Sequence, residues 1–373
     1  MKSPIPDYLN QVLKNARDNE DGAPAAYIET LAKADTSRLA VALAMVDGNI
    51  YSAGDDEVEF SIQSISKAFV YAIAIEDAGL ERVLEKIGVE PSGDAFNRLS
   101  LHKGTNRPMN PMINAGAITA HSLVVRPDAT AEERTERILK TLSRLAGREL
   151  HVDEEVYEAE LRDADRNMGI GYMLKAAGII TCDPREAVKG YIRQCAINVN
   201  VRDLAMMAAT LCNAGLHPVS GERIIHQASV RQVLSVMTTC GMYDAAGDWV
   251  SNVGIPAKSG VAGGIIGALP GQLGRPNPDD PGSGLHGDAC AVIFSFREVY
   301  SLNHVARRII HEDISRLILE EKIVVVIDPS GVLQWNHEEA ENDRHPKVVK
   351  NETEARDFIG GTGCKAVSTD DGW

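Results

Sequence analysis

A serine followed three positions later by a lysine, in Ser64-Ile65-Ser66-Lys67, is the first candidate for chemistry in this chain. Positions i and i+3 of a helix share one face, so the Lys67 amine can reach the Ser64 hydroxyl. Serine needs a base to act as a nucleophile, and a lysine desolvated in an apolar pocket can lose its proton near neutrality. The start of a helix adds unpaired N–H groups that suit an oxyanion. Alone the pattern is weak, since about one or two copies arise by chance in a chain of this size, and a surface serine beside a solvated lysine is the alternative.

The elements around this pair can be predicted from the spacing of apolar residues. FSIQSISKAFVYAIAIEDAGL indicates a largely buried helix that begins near Ser64 and is closed by Gly79. Before it, β-forming residues on both sides of Asp47-Gly48 predict two antiparallel strands joined by a tight turn. Two further helices are expected upstream, one over residues 7–16 and one from Pro24 to about residue 35.

The rest of the chain predicts a sheet interrupted by helices. Residues 115–214 are mostly helical in pattern, and strand-like segments return in PAKSGVAGGIIGAL and ACAVIFSF, separated by the loop RPNPDDPGSGLHG and followed by the helix ARRIIHEDISRLILEEK. We therefore expect an α+β unit over residues 1–320, with an antiparallel sheet flanked by helices (about 20–75 and 240–320) and an inserted all-helical subdomain (about 76–239). Residues 321–373 form an extension, with a hairpin around 329–331 and then a polar, charge-rich tail typical of disorder.

Composition narrows the classes of function. The 373 residues carry a formal charge of -15 at pH 7, which disfavours nucleic acid and membrane surfaces as partners and favours a small-molecule substrate. The 6 cysteines and 10 histidines show no metal-ligand spacing, so no metal and no cofactor are expected. No apolar run reaches the length of a signal peptide or a membrane span, and we expect a cytoplasmic protein.

Several motifs resemble known families. Lys258-Ser259-Gly260, on a predicted strand, resembles the K-[ST]-G element that accompanies S-x-x-K in serine β-lactamases and penicillin-binding proteins. More specifically, the chain from about residue 26 to 319 resembles the glutaminase family, which shares the β-lactamase/DD-peptidase-like fold. The motifs that carry this resemblance, in family order, are FSIQSISKAFVYAIA, EPSGDAFNRLSL, NPMINAGAI, ADRNMGIGYMLK, CGMYD and PAKSGVAGGI.

The resemblance implies an enzyme that hydrolyses L-glutamine to glutamate and ammonia through a glutamyl ester on Ser64. Lys67 and Tyr243 are the implied proton-transfer partners, and which of them first takes the Ser64 proton stays open. The N–H groups of Ser64 and Val261 are the implied oxyanion donors. The implied substrate-binding set is Tyr27, Ser64, Asn114, Glu160, Asn167, Tyr191, Tyr243 and Val261. A homo-oligomer, dimer or tetramer, is also implied.

Each of these residue types has an alternative role. A desolvated α-ammonium needs an anion such as Glu160, yet Glu160 also belongs to a charged run that a solvated helix face would explain. Asn114 and Asn167 can bind a carboxylate or amide, or serve as turn or helix-cap residues, and Tyr191 and Tyr243 can be core aromatics.

Two rival functions remain: a β-lactam-reactive or other serine amidohydrolase of the same superfamily, and a catalytically silent glutamate-binding module. The loop RPNPDDPGSGLHG and the residues Leu302 and His304 depart from the glutaminase pattern.

Overall fold

The computed structural model describes residues 5–17, 24–25, 28–92, 101–269 and 290–295, together with two short strands near the C-terminus. Contacts divide the chain into two compact units, Met1–Ile309 and Ile310–Trp373. In the first unit the described helices are α1 Ile5–Ala16, α2 Glu29–Ala32, α3 Ser66–Ala78, α4 Leu80–Lys86, α5 Asn114–Ser122, α6 Ala131–Ala146, α7 Glu154–Arg162, α8 Asp165–Ala176, α9 Pro184–Cys195, α10 Val201–Cys212, α11 Gln227–Cys240 and α12 Ala246–Asn252. The strands are β1 Ala40–Met45, β2 Ile50–Gly54, β3 Phe60–Ser61, β4 Asn198–Val199, β5 Ala257–Ser259, β6 Gly264–Leu269 and β7 Cys290–Ser295. Two 3-10 turns, Gln63–Ile65 and Tyr243–Ala245, complete the unit.

Five strands form one antiparallel sheet in the order β2-β1-β7-β6-β5. In its register, Ala42 of β1 lies opposite Ser52 on one side and Ile293 on the other, and Ile293 in turn pairs with Ile266. The strands come from residues 40–54 and 257–295, and most of the described helices lie between these segments in the sequence. The segments that form the sheet are therefore separated in the sequence by helices, as expected.

Two helices are buried on almost every side because apolar residues occupy most of their positions. In α3 every residue from Ser66 to Ile75 is buried, and α10 is buried at all positions except Arg202. Helix α10 packs on β1, β6 and β7, whereas α3 packs against α5 and α11. A helix with apolar residues on most of its sides needs such a position. If only one face were buried, the other apolar side chains would be exposed to water.

A second apolar core holds the helices that carry several candidate site residues. It contains Ile118 of α5, Leu174 of α8 and Ile192 of α9, all fully buried. Helices α5, α8 and α9 pack against one another, and α7 packs on α9. Side chains from α5, α7, α8 and α9 can therefore lie close together, and α5 also packs against α3.

The elements agree with most of the sequence-based expectations. The hairpin about Asp47-Gly48 and helix α1 are confirmed. The helix expected from Pro24 to about residue 35 is wrong in length, because Glu29–Ala32 is the only helical part among the described residues of this stretch, and its N-cap Ile28 supplies no side-chain hydrogen bond. The loop RPNPDDPGSGLHG, the helix ARRIIHEDISRLILEEK and the turn at 329–331 lie outside the described residues. In the C-terminal unit, β8 Val326–Ile327 pairs in parallel with β9 Val348–Val349.

Candidate active site

Ser64 lies in a 3-10 turn rather than in the first turn of the helix itself. The turn, Gln63–Ile65, joins β3 to α3, and Ser64 is buried at 6% exposure. Gln63 has a φ of 49°, in the left-handed region that a non-glycine residue rarely occupies. The Ser66 hydroxyl holds this conformation by donating to the Gln63 carbonyl oxygen at 2.7 Å. Ser64 thus follows a strained residue, as many functional side chains do.

A chain of buried polar groups supports this turn from behind. The Gln194 amide donates to the Ser66 hydroxyl at 3.2 Å, and its oxygen bonds His121 Nδ1 at 2.8 Å. Burial lowers the pKa of His121 to about 3, so its ring stays neutral. Because Ser66, Gln194 and His121 are all inaccessible to solvent, the network fixes the backbone next to Ser64 without exposing a charge.

Lys67 is enclosed by protein three residues after Ser64. It is 1% exposed, and its Nζ donates to Asn114 Oδ1 at 2.8 Å. Nζ also lies 5.9 Å from the centre of the Tyr191 ring. Burial lowers the pKa of Lys67 to about 8, an effect partly offset by the Glu160 carboxylate. Lys67 therefore loses its proton at a pH much closer to neutrality than an ordinary lysine, which favours a proton-transfer role.

The Asn114 amide connects three helices at this point. Its Oδ1 accepts from Lys67 and from the Tyr191 hydroxyl, the latter at 3.3 Å, and its Nδ2 donates to Asn167 Oδ1 at 3.1 Å. Neither asparagine is a helix cap, because the N-caps of α5 and α8 are Ile113 and Ala164. The capping alternative for Asn114 and Asn167 is therefore wrong.

Glu160 reaches the same region from α7. Gln63 Nε2 lies 3.4 Å from Glu160 Oε2 and 3.3 Å from the Ser61 hydroxyl, within hydrogen-bond distance of both. Although Glu160 retains some exposed surface, burial raises the pKa of its carboxyl to about 7, with Gln63 and Lys67 opposing the shift. A carboxyl on a solvated helix face would show no such shift, so that alternative is not supported.

Tyr243 contacts two residues of strand β5. It opens the second 3-10 turn with a left-handed φ of 55°, and its hydroxyl lies 3.4 Å from the Ser259 carbonyl oxygen, to which it donates. Lys258 Nζ lies 4.2 Å from the centre of the Tyr243 ring. Tyr243 is thereby attached to strand β5, the strand that carries the K-S-G motif.

Strand β5 runs directly against the Ser64 turn. A Cβ atom at Gly260 would lie 3.2 Å from the Ile62 carbonyl oxygen and 3.3 Å from Ile65 Cγ1, so a side chain there would crowd the turn. Val261, in the bend that follows β5, packs against the small cluster of Ala25, Ile28 and Leu31. Tyr27 falls between these residues and lies outside the described part of the chain.

The described site residues thus form two groups of contacting side chains. The first contains Lys67, Asn114, Asn167 and Tyr191, with Gln63 and Glu160 beside it. The second contains Tyr243 and the β5 residues Lys258 and Ser259. Gln63 was missed in the sequence because nothing in its residue type signals a left-handed conformation. Lys258 was noticed as part of a motif, but no role was assigned to it.

Comparisons with known proteins place the chain in a family. The model of the family described as Glutaminase matches residues 22–276. The chain belongs to the glutaminase family. The glutaminase of Corynebacterium glutamicum is 54% identical over 271 residues, covering 73% of this chain and 65% of that protein. The glutaminase of Corynebacterium efficiens is 45% identical over 337 residues, covering 89% and 79% of the two chains.

Solved glutaminase structures share the architecture. Mglu in its glutamate form is 44% identical with a TM-score of 0.76, over 85% of this chain and 69% of that chain. The probable glutaminase ybaS is 32% identical with a TM-score of 0.75, over 85% and 98%. The α+β, β-lactamase-like fold expected from the sequence is confirmed.

Some relatives are much longer than this chain. It spans 65% of the length of the C. glutamicum protein and 50% of Glutaminase 1 of Bradyrhizobium diazoefficiens. The family match ends at residue 276, so it covers the site residues and leaves the C-terminal part of the chain unmatched.

The described residues contain neither a metal-binding cluster nor a helix suited to span a membrane. They contain no group of three or more histidine, cysteine, aspartate or glutamate side chains arranged to hold a metal ion. Within the same residues, no helix combines the length and apolar character needed to cross a membrane.

Proposed function

We propose that the chain hydrolyses L-glutamine to L-glutamate and ammonia through a glutamyl ester on Ser64. The observation that carries the proposal is the hydrogen bond from the buried Lys67 amine to Asn114, in a chain that belongs to the glutaminase family. Burial lowers the pKa of that amine to about 8, and the amine belongs to a residue three positions from a buried serine. Bound glutamate in a solved structure of Mglu, a 44% identical protein, agrees with a glutamate-sized product.

In the proposed reaction, Ser64 Oγ attacks the side-chain amide carbon while its proton passes to Lys67 or Tyr243. The developing oxyanion would accept hydrogen bonds from the N–H groups of Ser64 and Val261. Collapse of the tetrahedral intermediate breaks the C–N bond, and the stored proton leaves with ammonia. Water then attacks the ester, gives its proton to the same relay and releases glutamate and the Ser64 hydroxyl.

The substrate would be oriented by groups that match an α-amino acid. The Glu160 carboxylate is an anionic partner for the α-ammonium, which is costly to desolvate alone. Asn114, Asn167 and Tyr191 supply neutral hydrogen bonds for the α-carboxylate or the amide. Burial raises the pKa of Tyr191 well above its ordinary value, so its hydroxyl remains a donor. Tyr27 would complete the set.

A substrate panel tests this function. Ammonia release from L-glutamine should exceed release from L-asparagine, and hydroxylamine added during turnover should divert the ester to γ-glutamyl hydroxamate. A chromogenic cephalosporin should not be turned over. Cephalosporin turnover without ammonia from glutamine would instead identify a β-lactam-reactive enzyme, and glutamate binding without any turnover would identify a silent binding module.

We also propose a cytoplasmic homo-oligomer, dimer or tetramer. Cys182, Cys195, Cys212 and Cys240 are free thiols, as expected in a reducing compartment. The formal charge of -15 gives no support to a nucleic-acid partner. Light scattering of the full chain measures its mass, and a monomer at micromolar concentration would contradict the oligomer.

A further inference from the structure

Three buried polar side chains form a chain of hydrogen bonds that ends at the Gln63 carbonyl oxygen. The Ser66 hydroxyl donates to that oxygen at 2.7 Å, and Gln194 Nε2 donates to Ser66 Oγ at 3.2 Å. Gln194 Oε1 lies 2.8 Å from His121 Nδ1. Ser66, Gln194 and His121 are each 0% exposed. The reaction outlined above gives none of these three side chains a role.

The direction of every hydrogen bond in this chain is fixed from the carbonyl end. A carbonyl oxygen only accepts, so the single hydroxyl proton of Ser66 points at Gln63. Ser66 Oγ can then only accept from Gln194, which places the amide nitrogen toward Ser66 and the amide oxygen toward His121. Because an amide oxygen only accepts, His121 Nδ1 must carry a proton. All three donors therefore point toward the Ser64 turn.

His121 begins the chain as a neutral ring. With the proton on Nδ1, its Nε2 is an acceptor, and this atom is buried without a hydrogen-bond partner among the described residues. A Cβ atom at Gly190 would lie 2.1 Å from Nε2, so helix α9 closes over the ring. Burial lowers the pKa of His121 to about 3, with the Gln194 bond opposing the shift and the charge of Arg134 adding to it. The chain therefore keeps one arrangement of protons across the neutral pH range.

The end of the chain is important because the Gln63 carbonyl and the Ser64 N–H belong to one peptide group. Resonance couples the two, so a hydrogen bond accepted by the oxygen makes the N–H a stronger donor. Buried hydrogen bonds in series also polarise one another, which increases this effect. The same bond restrains the strained backbone at Gln63, whose φ is 49°, and so restrains the direction of the Ser64 N–H.

We propose that the chain His121–Gln194–Ser66 positions and polarises the Ser64 N–H group for the oxyanion. This inference rests on the proposed function, in which that N–H and the Val261 N–H stabilise the negative oxygen of the tetrahedral intermediate. The three side chains are positioning residues, because they act through the peptide group of Ser64. Their contribution is largest in the transition state, where the oxygen carries charge, and small for the bound substrate.

Ser66→Ala removes the hydroxyl that donates to the Gln63 carbonyl oxygen, and Thr210→Val is the matched control. Thr210 is also 0% exposed, and its hydroxyl donates to the Met206 carbonyl oxygen at 3.0 Å within α10. Glutamine kinetics, calorimetric binding of L-glutamate and urea denaturation are measured for both variants.

Ser66→Ala should lower kcat about tenfold, less than the loss of a whole oxyanion donor, and leave KM and the Kd of L-glutamate within about twofold. Thr210→Val should lose similar stability and keep the wild-type kcat. An equal fall of kcat in both variants would overturn the inference, because the loss of any buried hydroxyl would then explain it. A loss that appears only as a higher KM would overturn it as well.

Gln194→Leu tests the chain one step further from the peptide group. The Ser66 hydroxyl then keeps its bond to the carbonyl but loses the polarising amide, so kcat should fall about threefold, less than in Ser66→Ala. In the Ser66→Ala background, Gln194→Leu should cost almost nothing further, whereas multiplicative losses would overturn the inference. If Ser66→Ala does not fold, Gln194→Leu decides alone, and a wild-type kcat in that variant would overturn the inference.

The wild-type chain separates this inference from the proposed function. Wild-type chain that releases no ammonia from glutamine would overturn the proposed function together with this inference. Wild-type turnover that is unchanged in both Ser66→Ala and Gln194→Leu would overturn this inference alone.

Discussion

Lys67 and Glu160 are the two groups of the site that change protonation near neutral pH. Burial brings the pKa of the amine down to about 8 and that of the carboxyl up to about 7. Each group opposes part of the shift of the other, since a carboxylate favours an ammonium and the reverse. Activity that needs a charged Glu160 and a neutral Lys67 should therefore increase as the pH rises through this range.

The contribution of Glu160 can be isolated with Glu160→Gln. Below a pH of about 7 the wild-type carboxyl gains a proton and loses its attraction for the α-ammonium, so kcat/KM for glutamine should fall on the acidic side. In Glu160→Gln, KM should rise about 100-fold, because a buried charge pair is lost, and the pH dependence centred near 7 should disappear. Steady-state kinetics from pH 5.5 to 9 measure both effects. An unchanged acidic limb in the variant would show that another group produces it.

At the scale of elements, the site depends on a close contact between α11 and β5. A Cβ atom at Gly241, the residue that ends α11, would lie 1.8 Å from the Ala257 carbonyl oxygen. The obstacle is backbone rather than a flexible side chain, so the strand or the helix end must move. Tyr243 follows Gly241 by two residues, and Lys258 follows Ala257 directly, so this contact sets the distance between them.

Gly241→Ala should therefore reduce both stability and turnover. We expect the free energy of unfolding to fall by about 3 kcal/mol because of overpacking, with a loss of kcat as Tyr243 shifts. Urea denaturation and ammonia release measure the two effects. Gly247→Ala is the matched control: it is an exposed helical glycine with open space at its Cβ position, and stability should change by less than about 1 kcal/mol. Equal stability of the two variants would contradict the close contact.

The sequence predicts the regular elements of this site better than its irregular turns. The hairpin at Asp47-Gly48 and the buried helix after Ser64 follow from turn residues and apolar spacing, which are local signals. The left-handed conformations of Gln63 and Tyr243 could not be predicted, because they accompany a specific Ser66 side-chain hydrogen bond and a long-range contact of Tyr243 with Ser259 in residue types that usually avoid this region. The spacing of residues in the sequence likewise could not predict the contacts of Asn114 with three other helices, because those contacts depend on how the helices pack.

At the scale of the whole molecule, the candidate residues are spread along the sequence and meet only in the fold. Ser64 follows the first hairpin, Asn114 and Glu160 lie on the intervening helices, and Tyr243 precedes the returning strands. Strand β7 joins the two parts of the sheet, because it pairs with both β1 and β6. Because the sheet and the site are both assembled from distant segments of this stretch, we propose that residues 1–320 act as one unit.

Truncation after residue 320 tests this unit. All candidate site residues lie between Tyr27 and Val261, and the family match ends at residue 276, so the shortened chain should keep ammonia release within about threefold of the full chain. Its melting temperature and its mass by light scattering should be compared with those of the full chain. Loss of turnover with retained folding would assign residues 321–373 a role in the site or in assembly.

The most direct test of the account is ammonia release from L-glutamine by Ser64→Ala, with Ser235→Ala at an exposed serine of α11 as the control. Removing the nucleophile should reduce turnover by about 10⁴-fold or more and leave the melting temperature close to that of the wild type. The Ser235→Ala variant should retain wild-type turnover. Turnover by folded Ser64→Ala at more than about a tenth of the wild-type rate would contradict the assignment of Ser64 as the nucleophile.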